Sequence, residues 1–180
     1  MSIAVRPAGQ DELPVFFAYL NDHLSDNGSG ATALFMPMAR ADAVFPQERQ
    51  DSFRQACARR PGEPGWRKLW LAWRADGEIA GHVDLRARLD AASSHRALLG
   101  MGVHRAQRQQ GLGRHLIDTA CAWALAATGL EWIDLDVIST NTPARRLYER
   151  SGFVQTGEMP DLFRIDGLSI GHTMMSRRLR

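Results

Sequence analysis

The chain has 180 residues, a formal net charge of +2 and two cysteines. The length is that of one domain with a sizeable core, the small net charge gives no indication of nucleic-acid binding, and two cysteines make no disulfide framework. No signal peptide and no apolar run long enough for a membrane span are seen, so we expect a cytoplasmic protein of a reducing, bacterial-type cytosol with no membrane partner.

The first third of the chain predicts one strand and two helices. A short strand over 3–6 precedes an amphipathic helix over 10–20, and a second helix is expected over 46–59. The intervening segment Phe35-Met36-Pro37-Met38 is apolar although turn-forming residues surround it. It either packs over the edge of the core or forms a lid over a ligand pocket.

The next segments predict an antiparallel pair of strands. Residues 68–74 alternate apolar and polar side chains, and 79–89 form the partner strand. Asp76-Gly77 between them is a hairpin signal.

The centre of the chain predicts a buried strand, a glycine turn and a helix. Residues 97–103 form a nearly continuous apolar run, as expected of a strand covered on both faces. Gly100 and Gly102 lie on the same side of it, which predicts that another backbone or a ligand passes close by. After the turn, apolar residues recur at helical spacing before Gly129: Leu112, Leu116, Ile117, Ala120, Ala124 and Ala127.

The turn itself reads Arg108-Gln109-Gln110-Gly111-Leu112-Gly113. The missing side chains at Gly111 and Gly113 would let a ligand approach the backbone. The free N–H groups of the helix start and the helix dipole favour an anion there, and Arg108 adds a cation. The pattern predicts diphosphate binding by the backbone amides between Gln109 and Arg114.

The turn has three other interpretations. A dinucleotide-binding fingerprint requires Gly or Ala where Leu116 stands. A nucleoside-triphosphate loop requires a lysine in the turn, and Lys68 is the only lysine in the sequence. A tight turn without any ligand stays open on this motif alone.

The last part of the chain predicts a strand, a helix and a hairpin. Residues 133–137 alternate as a strand, Thr142 is expected to cap a helix with Pro143 at its first position, and a hairpin over 154–178 closes the chain. The element order is strand, two helices, three strands, helix, strand, helix, two strands. It predicts an α/β domain with a mixed sheet.

Two segments resemble the GCN5-related N-acetyltransferase (GNAT) family. Residues 108–113 match its Arg/Gln-x-x-Gly-x-Gly/Ala turn, and residues 141–153 closely resemble its Asn-x-x-Ala-x-x-x-Tyr-x-x-x-Gly-Phe segment. His95-Arg96-Ala97 and the hairpin ending over 164–174 look like one branch of the family. The resemblance implies a single GNAT acyltransferase domain, with a central, mostly antiparallel sheet flanked by helices.

The resemblance also implies a function. An N-acetyltransferase of this family moves an acetyl group from acetyl-coenzyme A directly to a primary amine, here of a small molecule, an amino acid or a peptide. The alternative is a non-catalytic sensor of acyl-coenzyme A with the same fold. The residues expected to contact the cofactor are Met101, Val103, Arg108, Gln109, Gly111, Leu112, Gly113, Arg114, Asn141 and Tyr148.

The predicted chemistry rests on few side chains. In the family, the equivalent of Tyr148 points at the thioester sulfur. The alternative is that Tyr148 is a half-buried packing residue beside Leu147 and Phe153. With unperturbed pKa values, proton transfer from a tyrosine to the departing thiolate costs ~2 kcal/mol. Many relatives have a glutamate general base in the central strand, where Leu98 or Leu99 stands here. His82 and Asp84 on the preceding strand, and His95, are the candidates that remain.

No metal is expected. The terminal hairpin offers a strand edge through which two subunits could pair as a homodimer.

Overall fold

In residues 3–127 and 129–180, which the computed structural model describes, seven strands and four α-helices follow one another in the predicted order. The strands are β1 (Ala4–Pro7), β2 (Arg67–Trp73), β3 (Ile79–Ala87), β4 (Arg96–Val103), β5 (Trp132–Ile138), β6 (Val154–Ile165) and β7 (Leu168–Arg178). The helices are α1 (Leu13–Ser25), α2 (Gln47–Ala58), α3 (Leu112–Ala127) and α4 (Thr142–Arg150).

The strands form one mixed sheet in the order β1-β2-β3-β4-β5-β7-β6. Every neighbouring pair is antiparallel except β4 and β5, which are parallel. The predicted α/β class with a mostly antiparallel central sheet is therefore confirmed. None of the helices in the described part of the chain is both long and apolar enough to cross a membrane.

The helices cover the two faces of the sheet with separate apolar cores. Helix α3 buries the side chains predicted for it against one face, where Tyr148 of α4 joins the same cluster; the side chain of Ala127 lies outside the described residues. Helices α1 and α2 pack phenylalanines against the other face at β2. This second cluster contains Leu13, Phe16, Phe17, Phe53, Leu69, Leu71 and Ile79.

The two glycines of β4 make room for side chains. A Cβ atom on Gly102 would lie 2.6 Å from His23 Nε2 and 2.7 Å from His82 Cε1, and one on Gly100 would lie 2.6 Å from Asp84 Oδ2. Instead of another backbone, side chains from α1 and β3 occupy the space that the two glycines leave.

Two predicted boundaries need correction. Helix α1 continues to Ser25 instead of ending at Leu20, since His23 and Leu24 are buried and extend its packed face. The N-cap of α4 is Asn141, whose Oδ1 accepts a hydrogen bond from the Ala144 N–H at 3.3 Å. The predicted cap, Thr142, is the first helical residue, and both residue types satisfy the capping preference.

A buried carboxylate holds the middle of the sheet together. Asp134 of β5 accepts two hydrogen bonds from the Arg96 guanidinium of β4, one from Arg88 at 2.9 Å and one from Ser176 Oγ of β7 at 2.7 Å. Burial alone would raise the pKa of Asp134, but the hydrogen bonds from Arg96 and Ser176 outweigh it and hold the pKa below its usual value. The cluster thus joins β4, β5 and β7 at one level.

We predict that Asp134→Asn lowers the free energy of unfolding by about 2–4 kcal/mol at pH 7, because it leaves two partly exposed guanidiniums without their carboxylate. Asp51→Asn, which breaks the exposed pair between Asp51 and Arg54, should cost under about 1 kcal/mol. Urea denaturation at several pH values measures both.

The difference between wild type and Asp134→Asn should depend on pH. A carboxyl whose pKa is lowered by folding stabilises the fold above its unfolded pKa of about 4, and this contribution is lost as the pH falls through the folded pKa. The difference in the free energy of unfolding between the two proteins should therefore become smaller in acid. A free-energy difference that stayed constant from pH 7 to pH 2 would contradict the stabilising role of the Asp134 charge.

Candidate functional site

A gap opens between the two parallel strands at the centre of the sheet. Strands β4 and β5 pair only over Arg96–Leu98 with Trp132–Asp134. Beyond that level β4 stays paired with β3, and β5 with β7, along the rest of their lengths. From Leu99 onward the facing edges of β4 and β5 are therefore unpaired.

The backbone of β4 presents hydrogen-bond donors to this gap. The His95 carbonyl accepts a hydrogen bond from Glu131 beside β5, whereas the His104 N–H donates to Ala80 at β3. Since successive residues of a strand direct their backbone groups to opposite edges, Met101 and Val103 direct theirs to the gap. Met101 and Val103, both predicted to contact the cofactor, therefore have backbone groups that face the gap.

The turn that follows β4 carries a run of unpaired amides. Gln109 and Gly111 have φ values of 62° and 83°, in the left-handed region that favours glycine. The backbone N–H groups of residues 109–114 have no acceptor among the described residues, and the first helical hydrogen bond at this end runs from the His115 N–H to the Gly111 carbonyl. Six consecutive donors at a helix start form an anion-binding surface.

The two arginines predicted to contact the cofactor have internal partners. Arg108 donates to the Val103 carbonyl at 3.1 Å and pairs with Asp26 at 3.0 Å, so it ties the turn to the end of α1. Arg114 pairs with Asp118 at 2.8 Å and donates to the Arg150 carbonyl at 2.6 Å. Both shape the turn, and their charges are already partly neutralised.

Gly113 and Leu112 serve packing at the same place. A Cβ atom on Gly113 would lie 2.8 Å from Leu147 of α4 and 3.5 Å from Met101. Leu112 is buried in the core under α3. The second glycine of the turn therefore lets α3 and α4 approach each other closely, beside the gap.

Tyr148 lies in the core beside Phe153, with the ring centroids 5.9 Å apart. Its hydroxyl makes no hydrogen bond within the described residues, yet it is not among their fully buried unpaired atoms, so the oxygen still reaches the surface. Burial raises the pKa of Tyr148 to about 12. The phenol therefore stays protonated and can donate a hydrogen bond.

The histidine candidates are poorly placed as bases. His82 is buried, with its Nδ1 3.3 Å from the phenolic oxygen of Tyr19, and burial lowers the pKa of His82 to about 3. Its neighbour His23, 6.0 Å away between ring centroids, has its pKa lowered to about 3 by burial as well. His95 is exposed at the closed end of β4. Two neutral imidazoles therefore face Gly102.

Asp84 reaches the gap more directly. Its Oδ2 lies above Gly100, the second residue past the last β4–β5 pair, and Arg86 Nη1 converges on the same point, 3.0 Å from where a Cβ on Gly100 would stand. The carboxylate is 5% exposed. Arg67 Nε approaches its other oxygen at 3.4 Å. Asp84 is therefore the candidate base that the structure brings to the open stretch of β4.

The loop after α1 closes over the histidines. Buried Asn27 accepts hydrogen bonds from the backbone N–H groups of Phe35 and Met36 and donates to the Met36 carbonyl. The Phe35 ring then lies 4.7 Å from that of His23. The apolar segment thus packs over the edge of the site.

A cavity of about 630 Å³ lies elsewhere, between the loop around Arg40 and the hairpin turn at Asp166. None of the residues predicted to contact the cofactor lines it. We assign the site from strand geometry, because the unpaired amides converge on the gap. Within the described residues, no group of three or more His, Cys, Asp or Glu side chains could hold a metal ion.

Sequence reasoning missed three contributors to this region: His23, Arg67 and Arg86. The alternation of His82, Asp84 and Arg86 along β3 puts all three on one face, so Arg86 was within reach of a pattern argument. His23 could not be found in this way, because only the packing of α1 brings it to β4.

Comparison with known proteins agrees with this architecture. A family model described as "Acetyltransferase (GNAT) family" matches residues 32–153, well over half of the chain. An acetyltransferase of the GNAT family from Streptococcus pneumoniae is 24% identical, with a TM-score of 0.79 over 98% of this chain and 99% of that one.

Two further solved structures share the fold. YncA of Salmonella typhimurium, solved with its cofactor acetyl-CoA, is 18% identical, with a TM-score of 0.78 over 100% of this chain and 95% of that one. Spermidine N-acetyltransferase from Vibrio cholerae, in complex with CoA and spermine, is 18% identical, with a TM-score of 0.73 over 98% and 95%.

We predict that Gly102→Ala destabilises the protein by about 1–3 kcal/mol, since the new methyl group overlaps two packed imidazoles. Gly129→Ala is the matched control, because a Cβ there meets nothing within 4 Å and the backbone is not left-handed. Denaturant midpoints compare the two variants. Equal midpoints would show that the His23 and His82 rings move aside freely.

Proposed function

This chain belongs to the acetyltransferase (GNAT) family, and we propose that it transfers an acetyl group from acetyl-coenzyme A to the primary amine of a small molecule. One observation carries the proposal: six N–H groups, at residues 109–114, have no acceptor in the described part of the chain, and they lie beside a gap into which β4 directs further donors. These groups need acceptors, and a diphosphate followed by an amide-bearing chain supplies them.

The chain's own residues divide the binding task. The N–H groups of residues 109–114 would hold the diphosphate, and the backbone groups of Met101 and Val103 would hold the amides of the pantetheine arm. Arg108 and Arg114 support the turn through Asp26 and Asp118. Asn141 has its Oδ1 engaged as the cap of α4, which leaves its side-chain N–H₂ as the group that could meet the cofactor.

Tyr148 would assist the departing sulfur as a hydrogen-bond donor. With the pKa of Tyr148 at about 12 and a thiol pKa of ~8.5, full proton transfer would cost about 5 kcal/mol, more than the ~2 kcal/mol expected for an unperturbed tyrosine. A hydrogen bond from the neutral phenol needs no such transfer. It stabilises the negative charge that develops on sulfur as the thioester bond breaks.

Asp84 would take the proton that the amine loses. Once the amine attacks the carbonyl carbon, its nitrogen is positively charged and acidic, so a carboxylate within reach can accept the proton. His82 and His23 are less suited, because burial lowers the pKa of both to about 3. The general base proposed here is thus on β3, next to the strand that has it in many relatives.

The amine itself must be neutral when it attacks. An amine of pKa ~10.4 pays ~4.6 kcal/mol for deprotonation at pH 7, whereas an α-amino group of pKa ~8 requires only ~1.4 kcal/mol. We therefore favour weakly basic acceptors over polyamines and lysine side chains.

The experiment that tests the function measures thiol release from acetyl-coenzyme A with a panel of amines. We expect release with α-amino compounds and little with polyamines. Calorimetry with coenzyme A runs in parallel. Tight binding without thiol release from any amine would favour the acyl-coenzyme A sensor, and no binding at millimolar concentrations would refute the assignment.

We predict that Tyr148→Phe lowers kcat more than tenfold while the affinity for coenzyme A stays nearly constant, because only the sulfur loses its donor. Tyr19→Phe is the control: it removes the hydroxyl of the only other tyrosine, which faces His82. Steady-state kinetics and calorimetry give both quantities. An unchanged kcat for Tyr148→Phe would remove this residue from the mechanism.

We predict that Asp84→Asn lowers kcat/KM by about 100-fold or more without weakening coenzyme A binding. The residual rate should rise with pH, as more of the amine is already neutral. Asp51→Asn removes an exposed carboxylate of α2 whose ion-pair partner among the described residues is Arg54, and it should leave the rate within about twofold. Equal rates for Asp84→Asn and wild type would assign the proton to another acceptor.

A further inference from the structure

We propose that the acceptor is an α-amino acid, whose carboxylate is bound by Arg86 and Arg67 while its amino group faces Asp84. The inference rests on the proposed function and narrows its substrate class. It excludes peptides, whose terminal carboxylate lies far from the terminal amine. It starts from three side chains on the face of the sheet that α3 does not cover, which we call the Asp84 cluster: Asp84, Arg67 and Arg86.

The Asp84 cluster is incompletely paired. Arg67 Nε lies 3.4 Å from Asp84 Oδ1, and Arg86 Nη1 lies 3.5 Å from Oδ2. Both distances are long for an arginine–carboxylate pair. Asp84 Oδ1 and Arg67 Nε are buried atoms without a hydrogen-bond partner, although Asp84 is 5% exposed. These two atoms face each other 3.4 Å apart, too far for a strong pair, so the guanidinium N–H groups keep capacity for a second acceptor.

The second buried aspartate of the sheet shows what a completed cluster looks like. Asp134 also has two arginines, Arg96 and Arg88, but it receives four hydrogen bonds, including a bidentate pair from Arg96. The same residue types on neighbouring strands thus form a closed ion cluster at Asp134. Both clusters have two guanidiniums for one carboxylate and therefore one positive charge in excess. They differ in pairing: at Asp84 the two contacts are 3.4 and 3.5 Å long, which leaves more of the guanidinium N–H donors for an anion.

The position of the Asp84 cluster fits an acceptor site. Asp84 Oδ2 and Arg86 Nη1 converge above Gly100, just past the level where β4 and β5 separate. Gly100 and the preceding Leu98 on this face are only half-buried, and the Arg86 side chain is 35% exposed. A small molecule can therefore reach the carboxylate and the guanidinium together, beside the open edge of β4.

The Asp84 cluster favours a ligand that carries a positive and a negative group a short distance apart. A guanidinium binds a carboxylate through two parallel hydrogen bonds, and a carboxylate binds or deprotonates an amine. The Arg67 guanidinium is fixed by stacking 4.1 Å from the Phe53 ring of α2, so little order has to be gained on binding. An acceptor whose amine and carboxylate are attached to the same carbon can bind the guanidiniums and the Asp84 carboxylate at once.

The experiment compares each of the twenty standard L-amino acids with its carboxamide in the thiol-release assay with acetyl-coenzyme A. The two compounds share the side chain and differ in the negative charge. Because the carboxylate also makes the neighbouring amine more basic, kcat/KM is calculated for the neutral amine of each compound. We expect at least one amino acid to exceed its amide about tenfold or more in kcat/KM, with most of the difference in KM. Amides that match or exceed every acid would overturn the inference while leaving the transferase function intact.

Variants locate the preference. Arg86→Gln should raise KM for the amino acid about tenfold or more and leave the amide nearly unaffected, and Arg86→Lys should restore part of the loss. Arg178→Gln is the matched control. It removes an exposed arginine of β7 that lies on the same face of the sheet as Arg86, next to Trp132. An equal effect of Arg86→Gln on acid and amide would refute carboxylate binding there.

A binding measurement separates this inference from the proposed function. Calorimetry with N-acetyl amino acids and their amides, in the presence of coenzyme A, reports the preference for a carboxylate without turnover. If thiol release fails with every amine but the acids still bind more tightly than the amides, the transferase proposal is wrong and the anion site stands. If neither acid nor amide binds, the site is refuted.

Discussion

The structure depends on the hydrogen-bonded cluster around Asp134. It joins β4, β5 and β7 at the level where the two parallel strands still pair. Beyond it β4 follows β3 and β5 follows β7, and the twist of each pair carries the facing edges apart. A buried carboxylate with four donors fixes these strands relative to one another at that level, and past it the facing edges of β4 and β5 are unpaired.

An unpaired edge at the centre of a sheet is costly unless a ligand completes it. The donors of Met101 and Val103 and the amides of residues 109–114 follow one another along the chain, separated by a short helical turn at Arg105–Gln107. The same stretch is supported from behind: Gly113 allows the close approach of Leu147, and Arg108 ties the turn to Asp26. The packing of α3 and α4 thereby determines where the free donors lie.

The sequence predicted the class of the fold, the order of its elements and the family, because these follow from hydrophobic periodicity, glycine turns and two motifs. The extent of α1 was missed, since His23 continues its buried face with a residue that is not apolar. The role of Arg108 was incomplete for a related reason. A permanent cation next to a phosphate turn looks free in sequence, and only the fold brings Asp26 to it.

The glycines of β4 connect the two halves of the site. Lacking side chains there, the strand lets His23 and His82 close over Gly102 and lets Asp84 and Arg86 converge over Gly100. The imidazoles are neutral because burial lowers their pKa values to about 3, so they form an uncharged wall at the end nearest the turn. On this face, the charged side chains that converge over β4, Asp84 and Arg86, lie above Gly100. A substrate guided by charge must then bind at the level where β4 and β5 separate, which is also where we expect the thioester carbonyl to meet the amine.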